Sequence, residues 1–228
     1  MRLKKKELLK NLSPQIFGLG FMEFKDTIYG TSGLFIRRVQ GGLYLSIAFN
    51  ISRLYDSLFT CDLYLSRTTR IGCLWGDIPL GSYTRPGFLL TQEERESYVV
   101  DGIFAPDIWW DGAKDGDYDD FIRVLQLALP RFTADEELIR SIYDSKELES
   151  LYTTAQRVRM LAREMPSPLS YEGYKYLPPK KVDNIPMTWF CAAEKVLTKT
   201  KSTLINRLLV IKTAADAYRQ ELLDTELR

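Results

Sequence analysis

The chain has 228 residues, of which 45% are apolar and 27% are charged, and its net charge is +1 at pH 7. These values are ordinary for a globular protein with a buried core, and they exclude bulk disorder and a global field that would attract nucleic acid or an anionic membrane. The chain contains no histidine, which excludes Ser-His-Asp and Cys-His nucleophiles, histidine general bases and HExxH zinc sites.

The first third of the chain changes from a helical pattern to a strand pattern. Leucines on one side of residues 3–12 predict a short helix, which Ser13-Pro14 is expected to end. Between Phe21 and Ser66, β-branched and aromatic residues separated by glycine turns predict a meander of about four antiparallel strands. The clearest alternation places five residues on one strand face: Leu43, Leu45, Ile47, Phe49 and Ile51.

Helical patterns dominate the middle of the chain. Thr91 and Glu94 have the spacing of a capping box that opens a short helix. A second helix is predicted to end at Pro130, and a second capping box, Thr133 to Glu136, is predicted to start a helix that runs to about residue 144. Apolar residues at helical spacing predict another helix over residues 146–164.

The C-terminal region is predicted to contain a linker followed by one long helix. Residues 166–187 hold five of the ten prolines, which favours a linker or an extended wrapping segment. Residues 188–226 contain no proline or glycine and predict a single helix.

Six residues of this last helix recur in steps of four and three, which is the spacing of a heptad seam. Two interpretations stay open: the seam packs against the preceding helices, or it forms a homodimer or binds a partner helix. The seam consists of Leu204, Leu208, Ile211, Ala215, Tyr218 and Leu222.

These patterns together predict an α+β fold. We expect an antiparallel sheet of four to five strands packed by helices, with a helical C-terminal extension that ends in one long helix. The predicted organisation is a sheet domain at 1–130, helices packed on it at 131–165, the proline-rich segment at 166–187 and the long helix at 188–228.

Residues 101–120 are the strongest local anomaly in composition, with seven aspartates against one lysine and with large aromatics between them. Carboxylates beside aromatic anchors are typical of a site for a basic protein partner. The alternative is a surface loop whose aspartates cap the following helix while a tryptophan fills the core. The candidate partner-binding residues are Asp107, Trp109, Trp110, Asp111, Asp115, Asp117 and Tyr118.

No metal or cofactor site is predicted. Asp115, Asp117 and Asp119 have the spacing of a calcium loop, but position six is Asp120 instead of glycine and position twelve is Gln126 instead of glutamate. Carboxylate-based catalysis remains an alternative function, which a pocket with two carboxyls of raised pKa would favour.

Basic residues concentrate near the C-terminus, where residues 175–212 carry eight Lys or Arg against two acids. A solvated helix face explains this pattern, and the alternative is an accessory protein that contacts nucleic acid through a basic C-terminal helix. The three cysteines are odd in number and widely spaced, which favours reduced thiols and a cytoplasmic location. No segment approaches the length of about 20 apolar residues that a membrane-spanning helix needs.

The order of several features resembles a bacterial family known as domain of unknown function 4304. These features are a basic N-terminal helix, Gly20-Phe21, a meander ending in Cys61–Leu65, then Arg70-Ile-Gly, and Asp107-Ile-Trp-Trp110. The resemblance covers roughly residues 3–130. It implies an α+β fold of bacterial origin, and it assigns no activity and no site residues.

The function that these observations favour is binding without catalysis. We expect a bacterial immunity or antitoxin-like protein that neutralises a protein partner, such as a basic toxin, through the acidic and aromatic residues of 101–120. The alternatives that stay open are the nucleic-acid accessory protein and the carboxylate-based enzyme.

Overall fold

The structure is a computed structural model that describes residues 2–26, 28–71, 82–98, 107–165, 184–198 and 203–227. Two predicted features lie partly outside these residues: the proline-rich segment of 166–187 at residues 166–183, and the acidic and aromatic segment of 101–120 at residues 101–106. Within them the fold is α+β, as predicted, with one antiparallel sheet and helices on both of its faces.

The sheet has six strands in the order β1-β2-β3-β4-β5, and β6 also pairs with β4. All pairs are antiparallel. Two short strands pair with different parts of β4. Strand β5 pairs with Leu63 and Tyr64, whereas β6 pairs with Leu58 and Phe59. The strands are β1 (Met22–Phe24), β2 (Gly33–Arg38), β3 (Tyr44–Ile51), β4 (Leu58–Ser66), β5 (Tyr83–Thr84) and β6 (Trp110–Asp111).

Two prolines that were predicted to end helices lie inside helices instead. Pro14 is inside α1 and Pro130 is inside α3. Both side chains are exposed, so water can reach the carbonyl that loses its hydrogen bond at each proline. The helices are α1 (Lys5–Gly18), α2 (Gln92–Arg95), α3 (Asp117–Ala134), α4 (Glu136–Asp144), α5 (Lys146–Glu164), α6 (Met187–Leu197) and α7 (Leu204–Glu226).

The helix caps confirm one predicted capping box and correct the other. The Thr91 side chain accepts a hydrogen bond from Glu94 N, and the Glu94 side chain accepts from Thr91 N, so the predicted box opens α2. The cap of α4 is Asp135, which accepts from Leu138 N at 2.9 Å. Thr133 cannot fill this role, because it lies in the last turn of α3.

The main core lies between one face of the sheet and helices α1 and α3. The strand residues with predicted alternation point into it: Leu43, Leu45, Ile47 and Phe49 are buried and Ile51 is partly buried. The helices contribute apolar side chains at helical spacing, among them Leu8, Leu12, Ile16, Phe121 and Leu125. This burial is the main source of stability for the sheet.

The C-terminal helices form a second apolar cluster in which α5, α6 and α7 pack together. The prediction of one helix over 188–226 is wrong, because α6 ends at Leu197 and α7 begins at Leu204. Thr198 has φ 5° and ψ 113°, and the Thr203 side chain accepts a hydrogen bond from Asn206 N. Residues 198–203 are rich in threonine and serine, which favour helix caps over helix interiors.

The chain still ends in one long helix, α7. Leu223 of α7 packs with Leu34, Ile36 and Tyr44 on the second face of the sheet. Helix α7 therefore joins the helical cluster to the sheet. None of the helices in the described ranges is long and apolar enough to cross a membrane.

Candidate functional site

Trp110, one of the predicted partner anchors, belongs to the core. As part of β6 it pairs with Phe59 of β4, and only 2% of its surface is exposed. Its ring centroid lies 5.0 Å from that of Phe121, and its Nε1 donates a hydrogen bond to Asp120 Oδ2 at 2.9 Å. The prediction of a surface role for Trp110 is therefore wrong, because strand pairing turns this tryptophan inward.

Asp117 and Tyr118 also serve the start of α3. Asp117 Oδ2 accepts a hydrogen bond from Asp111 N at 2.8 Å, and it lies in the first helical turn with Asp119 and Asp120. Carboxylates are favourable there because the helix dipole is positive at its N-terminus. The Tyr118 ring stacks on Phe59 with centroids 5.3 Å apart. The capping and core interpretation therefore describes these two residues better than a partner site does.

Asp120 collects hydrogen bonds from three side chains. It accepts from Tyr98 Oη at 2.6 Å, from Trp110 Nε1 and from Arg123 Nη2 at 2.5 Å. Burial alone would raise the pKa of Asp120, but these hydrogen bonds outweigh it and hold the pKa below its usual value. The Asp120 carboxylate is thus an ionised structural centre that joins α3 to residues 98 and 110.

Arg85 holds Asp107 and Trp109 against the sheet. Its Nη1 donates to Asp107 Oδ2 at 2.6 Å, and its Nε donates to Asp62 Oδ1 at 2.8 Å. Trp109 Nε1 donates to the same Asp107 oxygen at 3.2 Å, and the Arg85 guanidinium carbon lies 5.4 Å from a Trp109 ring centroid. Trp109 is half-buried. Asp107 and Trp109 are therefore engaged within the protein, on the surface beside β5.

Two predicted residues, Asp111 and Asp115, remain accessible. Asp115 is exposed, and Asp111 is half-buried at the end of β6. Hydrogen bonds from the Ser57 side chain and from Ala113 N hold the pKa of Asp111 below its usual value. The turn that contains both residues is fixed to the β3–β4 hairpin, because Gly112 N donates to Ser57 O at 2.9 Å.

The β3–β4 hairpin lies beside this turn and carries a highly exposed apolar side chain. The sequence patterns did not identify this hairpin as a candidate site. We define the hairpin tip as residues 52–57. Leu54 is 88% exposed and Tyr55 is 64% exposed. The Ser52 hydroxyl fixes the tip by accepting hydrogen bonds from Leu54 N at 3.2 Å and Tyr55 N at 3.0 Å.

The hairpin tip and the acidic turn form one surface. Leu58 pairs with Asp111 in the strand register, and Gly112 N donates to Ser57 O, so the acidic turn lies beside the end of the hairpin tip that leads into β4. Leu3 N donates to Asp56 O at 2.6 Å, which places the lysines at the start of α1 near the same tip. A molecule that binds there would meet two exposed apolar side chains and charges of both signs.

A separate cavity of about 590 Å³ opens between the β2–β3 turn and α4. The Tyr143 hydroxyl donates a hydrogen bond to Gly41 O across one side of it. No carboxyl group is among the described residues that line it, so this cavity lacks the acid pair that the enzyme alternative requires. Its lining consists of Arg38, Val39, Gln40, Gly41, Leu43, Leu65, Thr133, Ile139 and Tyr143.

The predicted heptad seam is divided between the core and the surface. Ile211 is buried in the cluster of α5, α6 and α7, and Ala215 is also fully buried, so neither is accessible to a second helix. Tyr218 packs on Trp189 with ring centroids 5.3 Å apart. Leu208 and Leu222 are half-buried, and Leu204 is exposed. The interpretation of intramolecular packing therefore holds for the middle of the seam.

The basic C-terminal helix does not present all of its charges to solvent. Lys212 and Arg219 are each only 5% exposed. Asp216 and Gln220 of the same helix are also buried. Their spacing places all four on one face of α7. The lysines at positions 180, 181, 199 and 201, on which the nucleic-acid alternative also depends, lie outside the described residues.

Sequence analysis missed this buried polar stripe. The signal was present as charged and amide residues at helical spacing within an alanine-rich helix. Charged residues are so rarely buried, however, that such spacing ordinarily indicates a solvated face. Helix α7 therefore buries both an apolar seam and a polar stripe.

Comparison with known proteins adds no relative to these observations: no family model, no curated protein and no solved structure matches the chain significantly. The resemblance to domain of unknown function 4304 accordingly stays a prediction.

Proposed function

We propose that this protein binds a partner protein without catalysis, and that it does so through the hairpin tip and the acidic turn beside it. The observation that carries the proposal is the exposure of Leu54 and Tyr55 next to the carboxylates of Asp111 and Asp115. The acidic turn stays part of the proposed epitope, and Leu54 and Tyr55 take the role of anchors from Trp110, which is buried, and Tyr118, which is partly buried.

The hairpin tip has the chemistry of an interface anchor. Burial of a large apolar side chain contributes about 1.5–3 kcal/mol, and tyrosine is among the residues that dominate binding energy at interfaces. The tip is also held in one conformation by Ser52. Less conformational entropy is therefore lost when Tyr55 is buried by a partner.

The acidic turn supplies orientation and partner selection. Charges at the edge of an interface mainly accelerate association and exclude partners of the wrong charge. Asp115 lies in the turn that Gly112 N fixes to Ser57 O of the hairpin, so its backbone is held close to the hairpin tip. We propose that basic groups of the partner face Asp111 and Asp115, as expected for a basic toxin, while acidic or neutral groups face the lysines of α1.

The immunity or antitoxin-like role and the cytoplasmic location are part of the same proposal. The absence of histidine, which removes the nucleophilic and acid–base machinery that depends on imidazole, and the net charge of +1 support a binding role. The location is supported by Cys61 and Cys191, which are both free and buried.

The proposal can be tested by cross-linking in the host cell. A photo-reactive phenylalanine derivative would replace Tyr55, and the matched control would carry it at Met160, which is 61% exposed on α5. We expect a discrete cross-linked protein from position 55 and none from position 160, with competition by unmodified protein. Equal products from both positions, or none from position 55, would refute the proposal.

A further inference from the structure

The cavity between the β2–β3 turn and α4 lies at the end of the sheet opposite to the hairpin tip. Strand β3 runs from Tyr44, beside the β2–β3 turn, to Ile51, after which the hairpin tip begins. The cavity is lined by Leu43, just before β3, and by Leu65, near the end of β4. A ligand in this cavity would therefore occupy a site separate from the proposed protein interface.

The buried part of the cavity lining is apolar and belongs to the main core. Leu43 and Leu65 are each at most 2% exposed. Val39 and Ile139, which also line the cavity, are partly buried and pack against the same core. The cavity volume of about 590 Å³ lies within the range of about 300–1,000 Å³ that is typical of small-molecule sites. The lining therefore suits the apolar body of a small ligand.

The β2–β3 turn forms one wall of the cavity and is held in place from both sides. Gly41 and Gly42 have φ values of 72° and 74°, which glycine adopts without strain. Val39 N donates to Leu43 O at 2.8 Å, which closes the turn. From α4, the Tyr143 hydroxyl donates to Gly41 O. These contacts fix the turn relative to α4, so the wall of the cavity exists before any ligand binds.

Arg38 is the one charged residue among the described residues that line the cavity. Its Nη1 donates to Asp224 Oδ1 at 3.1 Å, yet its side chain is 45% exposed. Its Nη2 lies beside the turn, 3.8 Å from the position that a Cβ atom on Gly42 would take. A guanidinium group carries several N–H donors, so Arg38 can bond a second acceptor in the cavity while it stays paired with Asp224.

The carboxylates that face Arg38 from α7 are shared among three arginines. Asp224 accepts from Arg38 and also, at 2.6 Å, from Arg159 Nη2. Glu221 accepts from Arg159 Nε at 3.0 Å and from Arg163. Within this network three guanidinium groups therefore face two carboxylates. The network carries a surplus positive charge, and Arg38 is its member at the cavity.

We propose that this cavity binds a small carboxylate with an apolar body, which is either a medium-chain fatty acid or an aromatic acid. The carboxylate accepts a charge-assisted hydrogen bond from the Arg38 guanidinium. The apolar body is buried beside Leu43, Leu65 and Ile139, where it leaves water. An ammonium compound is the wrong class of ligand, because it would meet Arg38 with no carboxyl group among the described lining residues to pair with it.

Calorimetric titration and thermal unfolding with sodium octanoate test this proposal. Octanoate should bind saturably with a negative heat-capacity change, and at about ten times its Kd it should raise the Tm by about 3–5 °C. Acetate has the same charge without the apolar body, and octylammonium has the same body with the opposite charge. An equal response to either would contradict the proposal. Tighter binding of 3-phenylpropionate than of octanoate would identify an aromatic acid, and the reverse order a fatty acid.

Variants assign the binding to the cavity. Arg38→Gln should weaken octanoate binding about tenfold or more, whereas the matched control Arg163→Gln, which removes another arginine of the same network, should bind as the wild type does. Ile139→Trp fills the cavity and should abolish binding, but Ser141→Trp, at an exposed position of the same helix, should not. If Ile139→Trp does not fold, Arg38→Gln still decides, because it alters an exposed side chain. No saturable binding to the wild type, or equal affinities for the wild type and Arg38→Gln, would overturn the proposal.

Discussion

Trp110 and Asp120 are joined by a hydrogen bond of 2.9 Å that ties the short strand β6 to the first turn of α3. The bond fixes Trp110 in the core against the start of α3. The two adjacent tryptophans therefore differ in burial. Trp110 is buried, whereas Trp109 is half-buried beside Arg85.

The two tryptophans should therefore differ in their effect on stability. Trp110→Ala is expected to reduce the free energy of unfolding by about 3–5 kcal/mol, because it leaves a cavity against Phe121 and removes one of the hydrogen bonds to Asp120. Trp109→Ala should cost less, since its side chain is partly in solvent. Urea unfolding followed by circular dichroism measures both. A Trp109 variant that loses as much stability as the Trp110 variant would contradict this assignment.

The Asp120 carboxylate should make stability fall in acid. Its pKa is lower in the folded protein than the ordinary value of 3.8, so its contribution is present above that value. The contribution is lost as the pH falls through the lower folded pKa, because protonation then removes the acceptor for Tyr98, Trp110 and Arg123. Asp120→Asn should be less stable near neutral pH and should show a flatter decline below about pH 4. Parallel pH profiles in the two proteins would disprove this role.

Replacement of Arg85 should loosen the surface beside β5. Arg85→Gln removes the shared partner of Asp62 and Asp107 and leaves two partly buried carboxylates close together. Because the arginine is partly exposed, the expected loss is about 1–3 kcal/mol rather than that of a fully buried pair. An unfolding free energy equal to that of the wild type would show that the bridge contributes nothing.

The middle of the former heptad seam should behave as core. Ala215→Leu is expected to reduce stability by about 1–3 kcal/mol through overpacking, because Ala215 is fully buried. The same substitution at an interface between subunits would change the dissociation constant of a dimer. Light scattering at several concentrations distinguishes the two, and a concentration-dependent change in mass would favour the dimer interpretation.

Strong local patterns predicted the parts of the fold that depend on one element at a time. The alternation at Leu43–Phe49 was sufficient to predict which strand face is buried, and the capping box at Thr91 and Glu94 was sufficient to predict the start of α2. Each pattern depends on neighbouring residues of one element. The predictions that Pro14 and Pro130 end helices were wrong, because a proline is tolerated in a helix where water can replace the lost hydrogen bond. Both lie on solvent-facing sides that a pattern does not reveal.

The candidate site could be predicted only in part, because it depends on contacts between distant segments. Whether Trp109 or Trp110 faces inward follows from the pairing of β6 with Phe59, which lies some fifty residues away in the chain. The position of Leu54 and Tyr55 beside the acidic turn follows from the same pairing. The burial of Arg219 depends on the loop at Thr69 and Arg70, and no property of α7 alone indicates it.

The affinity of the purified protein for the partner captured at position 55 tests the central claim most directly. Tyr55→Ala should weaken binding by about 30-fold or more, the effect of losing about 2 kcal/mol at an interface anchor, while thermal stability stays unchanged. Met160→Ala, with a similarly exposed side chain, should bind as the wild type does. Equal affinities for the Tyr55 variant and the wild type would contradict the claim that the hairpin tip is the binding surface.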